Sequence, residues 1–218
     1  MTYEQIRKDH AVRVYIAQAD ASMQALGFTE HSFAHVGRVA DIAGYILETL
    51  DFPQRTVELA KIAGYLHDIG NVVNRVDHSQ SGAVMAFRIL DRMDFPPEEI
   101  AAIVTAIGNH DECTGVPVSA LAAALILADK SDVRRSRVRR AADITQDIHD
   151  RVNYSVTGSD LSVDREEKTV TLSLTVDTEV SSVMEYFEIF MKRMLLCRKS
   201  AEKLGLTFRL NINGLPLV

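Results

Sequence analysis

The segment Gly64-Tyr-Leu-His-Asp-Ile-Gly-Asn71 decides how the whole chain is interpreted, because it ends an apolar helix with a histidine and a carboxylate. The helix predicted over residues 53–69 buries apolar side chains at three- and four-residue spacing. Gly70 follows as a predicted left-handed cap. His67 and Asp68 therefore reach the edge of the core, where they either end a helix or hold a metal ion.

Composition and charge describe an ordinary globular chain. Of its 218 residues, 47% are hydrophobic and 25% are charged, which is enough apolar material to bury a core. The net charge of -6 argues against a general nucleic-acid-binding or membrane-surface protein. The cysteines, Cys113 and Cys197, form no CxxC pair, which fits a reducing compartment. Without an apolar run typical of a signal peptide or a membrane span, we expect a cytoplasmic protein.

Helical periodicity runs through the first 150 residues and changes to strand-like alternation after them. We predict helices over residues 3–26, 32–50, 53–69, 79–93, 97–109, 119–130 and 131–149. We predict strands within Asn153–Thr157 and Leu161–Asp164, over Thr169–Val176 and near Leu206–Ile212, with a helix over 179–204. The expected fold class is mainly α, with an all-α domain over residues 1–150 and a small C-terminal β-β-α-β appendage over residues 151–218.

Polar side chains recur where the predicted helices should be buried. His35 shares a helix stripe with apolar residues, so its ring should point inward. His78 opens a helix, and His110 ends an apolar one. Asp129 ends the apolar run from Leu121, where an unpaired carboxylate would cost several kcal/mol in desolvation. Each of these residues alone has an ordinary structural explanation, and a hydrogen-bonded core residue is the better interpretation of His35 taken by itself.

Taken together, these imidazoles and carboxylates favour a divalent transition-metal site. Imidazole nitrogen and carboxylate oxygen suit iron, manganese, cobalt, nickel or zinc, and a bound cation would neutralise the buried aspartates. The set contains no cysteine, which argues against a closed structural zinc site.

The order of His35, His67-Asp68 and Asp129 resembles the H…HD…D signature of the HD superfamily of metal-dependent phosphohydrolases, over residues 28–140. The local sequences HVGRVADIA, YLHDIG, HSQSGAVMAFRIL and LILADKSD carry the resemblance. It implies a first metal bound by His35, His67, Asp68 and Asp129, and a second metal bridged by Asp68 and held by His78 and His110. Iron is the first expectation for both ions, with manganese, nickel, cobalt or zinc as the others.

Within this superfamily, AIGNHDECTGVP followed by ALILADKSD looks most like the diadenosine tetraphosphatase branch. Asn71 departs from the pattern, since many relatives carry lysine there. Two cations bridged by Asp68 would lower the pKa of a shared water from about 15.7 toward about 7. We therefore expect hydrolysis of a phosphoester or phosphoanhydride bond in a nucleotide-like substrate. The alternatives are an HD-fold di-iron oxygenase and a regulatory or binding module whose metals are structural.

The basic run that follows Asp129 predicts a phosphate-binding surface. On a continuing helix, Lys130, Arg134 and Arg137 would share one face beside Asp129 and could pair with substrate phosphates. A solvated helix face is the alternative for the other arginines of the run. We expect catalytic roles for Asp68, Lys130 and His31, although His31 is equally well placed to be a supporting or surface residue.

The expected partner is a small phosphorylated molecule, with no nucleic acid and no membrane. The Met- and aromatic-rich run Met184–Met194 should cover one face of the small sheet, or else bury a homodimer interface. The sequence leaves both open.

Overall fold

The computed structural model describes residues 1–139 and 147–217, and within them it confirms the predicted fold class. The helices are α1 (Tyr3–Lys8), α2 (His10–Ala25), α3 (Phe33–Thr49), α4 (Gln54–Leu66), α5 (His78–Arg92), α6 (Pro97–Gly108), α7 (Ala120–Ser131), α8 (Ile148–Ser155) and α9 (Val183–Lys203). The strands are β1 (Val156–Asp164), β2 (Thr169–Val176), β3 (Thr207–Ile212) and β4 (Leu215–Pro216). None of the helices described is both long and apolar enough to cross a lipid bilayer.

Helix α7 is the centre of the helical half. Every side chain from Leu121 to Ala128 is buried, because α3, α4, α6, α9 and β1 surround the helix. Ser119 starts it by accepting a hydrogen bond from the Ala122 backbone N–H at 3.1 Å. The last turn then delivers Asp129 and Lys130 to one end of the core.

The helices predicted over 53–69 and 179–204 are shorter in the structure, since α4 ends at Leu66 and α9 begins at Val183, and two other predicted helices differ more. The helix predicted over 3–26 is broken at Asp9, whose backbone is extended and whose carboxylate caps α2 at the Val12 N–H. The helix predicted over 131–149 is wrong for residues 132–139, because α7 ends at Ser131 and only a short 3-10 turn follows, over Arg135–Arg137. The reason is tertiary, since the buried Asp132 carboxylate is bound by side chains of α3. Residues 140–146 of that prediction lie outside the described residues.

The C-terminal sheet has the strand order β1-β2-β3-β4. The predicted hairpin is confirmed, with Leu161 of β1 opposite Leu172 of β2. Strands β2 and β3 are parallel and are joined by α9, which contacts α7 as well as the sheet. The buried side chains of helices α1–α7 and those of the C-terminal sheet and α9 form one continuous cluster. The strand predicted at Asn153–Thr157 is wrong in its first part, because α8 extends to Ser155.

Gly70 is required for a reason other than the one predicted. Its backbone is not in the left-handed region. A Cβ on Gly70 would collide with the His78 carbonyl oxygen and lie 2.5 Å from the Gly82 nitrogen. The chain therefore passes directly against the start of α5 just after the His67-Asp68 pair, which brings Asp68 and His78 together.

Candidate metal centre

The predicted ligands come from the ends of five helices and meet at one end of the core. They are His35 in the first turn of α3, His67 and Asp68 directly after α4, His78 at the start of α5, His110 just after α6, and Asp129 in the last turn of α7. All but Asp129 are buried, and Asp129 is only slightly exposed. Because different helices supply them, their convergence is a property of the fold.

One group of side chains, the first cluster, consists of His35, His67 and Asp129 with one oxygen of Asp68. The Nε2 atom of His35 lies 3.5 Å from both Asp68 Oδ2 and Asp129 Oδ1. The Nε2 atom of His67 lies 3.3 Å and 3.6 Å from the same two oxygens. The donor atoms of His35, His67 and Asp129 lie within 4.8 Å of one another, which is compact enough to hold a metal ion.

The other oxygen of Asp68 faces the second cluster, which consists of His78 and His110. Asp68 Oδ1 lies 3.5 Å from His78 Nε2 and 3.9 Å from His110 Nε2. The two Nε2 atoms are themselves 3.2 Å apart. Asp68 thus presents one carboxylate oxygen to each cluster, as a carboxylate that bridges two ions does.

The hydrogen bonds of the imidazoles fit a bound cation. The Nδ1 atoms of His67, His78 and His110 contact backbone carbonyl oxygens at 2.7, 3.1 and 2.6 Å. A carbonyl only accepts, so Nδ1 carries the hydrogen and, in the neutral ring, Nε2 is a lone pair. The Nε2 atoms of His78 and His110 face each other, and the Arg75 guanidinium donates to His78 Nε2 at 3.3 Å. Among the described residues, the buried His67 Nε2 and the His35 Nε2 have no hydrogen-bond partner.

Charges in the two clusters are strongly coupled. Burial disfavours the charged form of His67, but the carboxylates of Asp68 and Asp129 outweigh it and raise the pKa of His67 to about 10. Burial and the neighbouring His67 lower the pKa of His110 to about 3. Burial opposes ionisation of Asp129, yet Lys130 and the imidazoles hold its pKa well below the usual range. The centre therefore keeps its aspartates ionised in the core, and the charge that balances them is either a proton on His67 or a bound cation that leaves the ring neutral.

Asp132 is a functional candidate that the sequence analysis missed. Its fully buried carboxylate accepts a hydrogen bond from His35 Nδ1 at 2.7 Å, which leaves His35 Nε2 facing the first cluster. Arg38 and Arg134 pair with the same carboxylate, at 3.2 and 2.5 Å. The signal in the sequence was a second aspartate three residues after Asp129, within the basic run that begins at Lys130.

The predicted phosphate-binding residues are only partly brought together. The structure turns Arg134 to Asp132, away from the ligands, because the expected continuing helix does not form. Lys130 is buried beside the first cluster, with Nζ 2.6 Å from Asp129 Oδ2 and 2.7 Å from Glu112 Oε2. Arg137 is buried as well and donates to the backbone oxygens of Glu30 and Asp132 at 3.0 and 2.8 Å.

A small chamber adjoins the two clusters, and its walls carry most of the basic groups of the site. It is lined by His31, Asp68, Arg75, His78, Asp129, Lys130, Arg137 and Arg193. Arg75 and Arg193 were not predicted, since Arg75 lies in a loop and Arg193 lies in α9, outside every motif. We call this space the metal chamber.

His31 and Asn71 both lie beside Asp68. His31 lies just before α3, with Nδ1 2.7 Å from the Thr29 carbonyl oxygen and Nε2 3.9 Å from Asp68 Oδ2. Asn71 donates its side-chain amide to Asp68 Oδ1 and to the Asp68 carbonyl oxygen, both at 3.0 Å. Asn71 therefore orients the carboxylate that faces both clusters.

The fold and the donor set define a helical domain with His/Asp clusters able to hold metal ions. The sequence matches the family model described as HD domain over residues 32–145, just over half of its 218 residues, and the chain belongs to this family. It is similar to a solved structure described as a predicted HD superfamily hydrolase from an uncultured Thermotogales bacterium. That similarity is 25% identity over 60% of this chain and 73% of the other, with a TM-score of 0.45. No curated protein matches the chain.

Proposed function

We propose that this protein is a metal-dependent phosphohydrolase that cleaves a phosphoester or phosphoanhydride bond of a nucleotide-like substrate. The observation that carries the proposal is the geometry of Asp68, whose two oxygens face two separate histidine-containing clusters beside a chamber lined with basic side chains. Membership of the HD domain family supports hydrolysis as the reaction class. The diadenosine tetraphosphatase-like branch stays a prediction.

The ligands proposed for the two ions are those of the two clusters, bridged by Asp68. Two divalent transition-metal ions, iron foremost, would supply a nucleophilic water at neutral pH and Lewis acidity toward phosphate oxygens. The mixed nitrogen and oxygen donor set is compatible with iron, manganese, cobalt, nickel and zinc alike.

The chain's own cations would bind and orient the phosphate. Arg75, Arg137 and Arg193 line the metal chamber, and planar guanidinium groups bind phosphate oxygens in pairs. Lys130 is held by Asp129 and Glu112, so its role would be to fix the Asp129 carboxylate and keep the chamber positive. Of the predicted phosphate-binding residues, Arg137 keeps that role in the proposal, Lys130 acts through Asp129, and Arg134 is bound to Asp132 instead.

His31 is the proposed proton carrier. Burial holds the pKa of His31 well below its usual value, so its Nε2 is an unprotonated acceptor at the chamber wall. From this position Nε2 can take a proton from the attacking water and pass it to the leaving oxygen. The hydrogen bond between Nδ1 and the Thr29 carbonyl oxygen keeps Nε2 turned toward Asp68.

The test is phosphate release from a substrate panel by the metal-loaded protein under anaerobic conditions. The panel contains nucleoside monophosphates, dinucleoside polyphosphates and cyclic dinucleotides. We expect release of phosphate or nucleotide from at least one member, and loss of that release in Asp68→Ala. Turnover that occurs only in the presence of oxygen would replace this proposal with an HD-fold oxygenase.

A further inference from the structure

A second cavity adjoins the metal chamber on the side of α8 and α9. Its volume is about 170 Å³, and its walls come from the loop before α3, from α8 and from α9. It shares four wall residues with the metal chamber, which are His31, Arg75, Arg137 and Arg193. A molecule seated in this cavity would therefore lie next to the ligands of both clusters.

Helix α9 supplies part of this wall. Arg193 reaches the loop after α6, where its Nε donates to Glu112 Oε1 at 3.2 Å. Its guanidinium also lies 4.4 Å from the centroid of the Phe190 ring. The same Glu112 carboxylate pairs with Lys130, the neighbour of Asp129. The HD domain match ends at residue 145, so α9 adds a basic group to the site from outside the matched segment.

The cavity walls combine basic, aromatic and acidic side chains. The guanidinium groups of Arg75, Arg137 and Arg193 belong to the wall that is shared with the metal chamber. The rings of Phe28 and Phe190 lie beneath Arg75 and Arg193, and the rest of the wall includes the polar side chains of Glu112, Asp147 and Asn153. The guanidinium groups can bind an anion, and the carboxylate and amide oxygens can accept hydrogen bonds from the hydroxyl groups of a ring.

The size of the cavity limits the organic group to one ring. An engineered cavity of about 150 Å³ holds a single benzene molecule. The space of about 170 Å³ is therefore that of one sugar-sized ring, and the remainder of a larger molecule would extend beyond it.

We propose that this cavity, completed by α9, binds a single hydroxylated ring joined directly to a phosphate that is held by the arginines of the wall shared with the metal chamber. The substrate class is then a phosphate ester of a pentose-sized sugar, either free or as the ribose of a nucleoside monophosphate. This inference rests on the proposed phosphohydrolase function and narrows its substrate. A dinucleoside polyphosphate would have only one of its sugars in the cavity.

The ring part is tested by a matched pair of phenylalanines. Phe28 and Phe33 are 43% and 38% exposed, and each lies beneath an arginine, at 5.8 and 5.4 Å from ring centroid to guanidinium carbon. Only Phe28 lines the cavity. Calorimetry on the full chain loaded with Mn²⁺ would compare inorganic phosphate, ribose 5-phosphate, adenosine 5′-monophosphate and diadenosine tetraphosphate.

We expect both monoesters to bind about tenfold more tightly than inorganic phosphate, because the ring adds contacts that phosphate lacks. Phe28→Ala should reduce that advantage about fivefold and leave the affinity for inorganic phosphate within about twofold. Phe33→Ala should change neither value. The relative affinities of ribose 5-phosphate and the nucleotide show which source of the sugar phosphate the cavity prefers.

The basic part is tested by two arginines of the same helix. Arg193→Gln should weaken binding of inorganic phosphate and both monoesters by about tenfold, since a charged hydrogen-bond donor is lost. Arg198→Gln removes an exposed arginine whose nearest acidic partner is Glu202, and it should change none of the affinities. Thermal melting of each variant checks that the fold is retained.

The outcomes separate this inference from the function it rests on. Phosphate bound with no advantage for the monoesters, or an advantage that survives Phe28→Ala, would overturn the ring compartment and leave the phosphohydrolase proposal standing. Tighter binding of diadenosine tetraphosphate than of either monoester, with Phe28→Ala neutral, would also overturn it. Failure of the wild-type protein to bind any phosphate compound would overturn both proposals.

Discussion

The two clusters share Asp68 but are held in place differently. In the first cluster, His35 donates from Nδ1 to the buried carboxylate of Asp132, which is itself paired with Arg38 and Arg134. In the second cluster, His78 and His110 donate to backbone carbonyl oxygens. A carboxylate partner makes an imidazole a stronger ligand than a carbonyl does. The first cluster also has Asp129 as a further oxygen donor.

For the two ions of the proposed function, this difference predicts unequal affinities. The first cluster lies among the ends of α3, α4 and α7 and offers two imidazoles and two carboxylate oxygens. The second lies at the start of α5 and just after α6 and offers two imidazoles and one oxygen of Asp68. We therefore expect the first cluster to hold its ion more tightly, and the following changes test that comparison.

The largest effect should come from Asp68, because it faces both clusters. Asp68→Ala should remove both ions and lower phosphate release by at least about 10³-fold. Metal content by mass spectrometry and turnover under saturating metal check the two parts. Asp111→Ala is the control, since that carboxylate lies 4.0 Å from His78 Nδ1 but belongs to neither cluster. Retention of two ions in Asp68→Ala would contradict a bridging role.

Removing the second cluster should separate the two sites. The double change His78→Ala and His110→Ala should leave about one ion per chain, since the donors of the first cluster remain in place. Measured metal content after gel filtration provides the check. Complete loss of metal would show that the two clusters do not bind independently, and the division of the ligands between two separate sites would be wrong.

The partner of His35 should set the strength of the first site. Asp132→Asn keeps the shape of the side chain but removes its charge, and it should lower the affinity of the tighter ion by about 10- to 100-fold. Competition with a chelator measures this, and the affinity of the weaker ion should stay unchanged. Asp177→Asn, which alters an ion pair with Arg135, is the matched control.

The smallest effect should come from Asn71. Asn71→Ala removes the hydrogen bond to Asp68 Oδ1, the oxygen that faces the second cluster, at a cost of about 1 kcal/mol. The weaker ion should therefore bind about fivefold less tightly, and the tighter ion should be unaffected. Equal weakening of both ions in the same chelator titration would mean that Asn71 supports the carboxylate as a whole.

Most of the helical core was predictable from the sequence because its helices are amphipathic or apolar and have clear ends. The helices predicted at 32–50, 79–93, 97–109 and 119–130 agree with α3, α5, α6 and α7 to within one residue at each end. The apolar helix face that contains His35 also predicted its burial, which the structure confirms. His67, His78 and His110 are buried at helix ends, as expected. Their roles as metal ligands stay predictions.

The sequence by itself determined which side chains enter the core, because helical periodicity assigns each residue to a face. Only the tertiary structure decided what they meet there. The end of α7 at Ser131 follows from the pairing of Asp132 with α3, and local propensity does not encode that pairing. Arg193 reaches the metal chamber because α9 packs on α7, across more than 60 residues of sequence from Asp129. Contacts between distant segments depend on packing, and no spacing in the sequence records them.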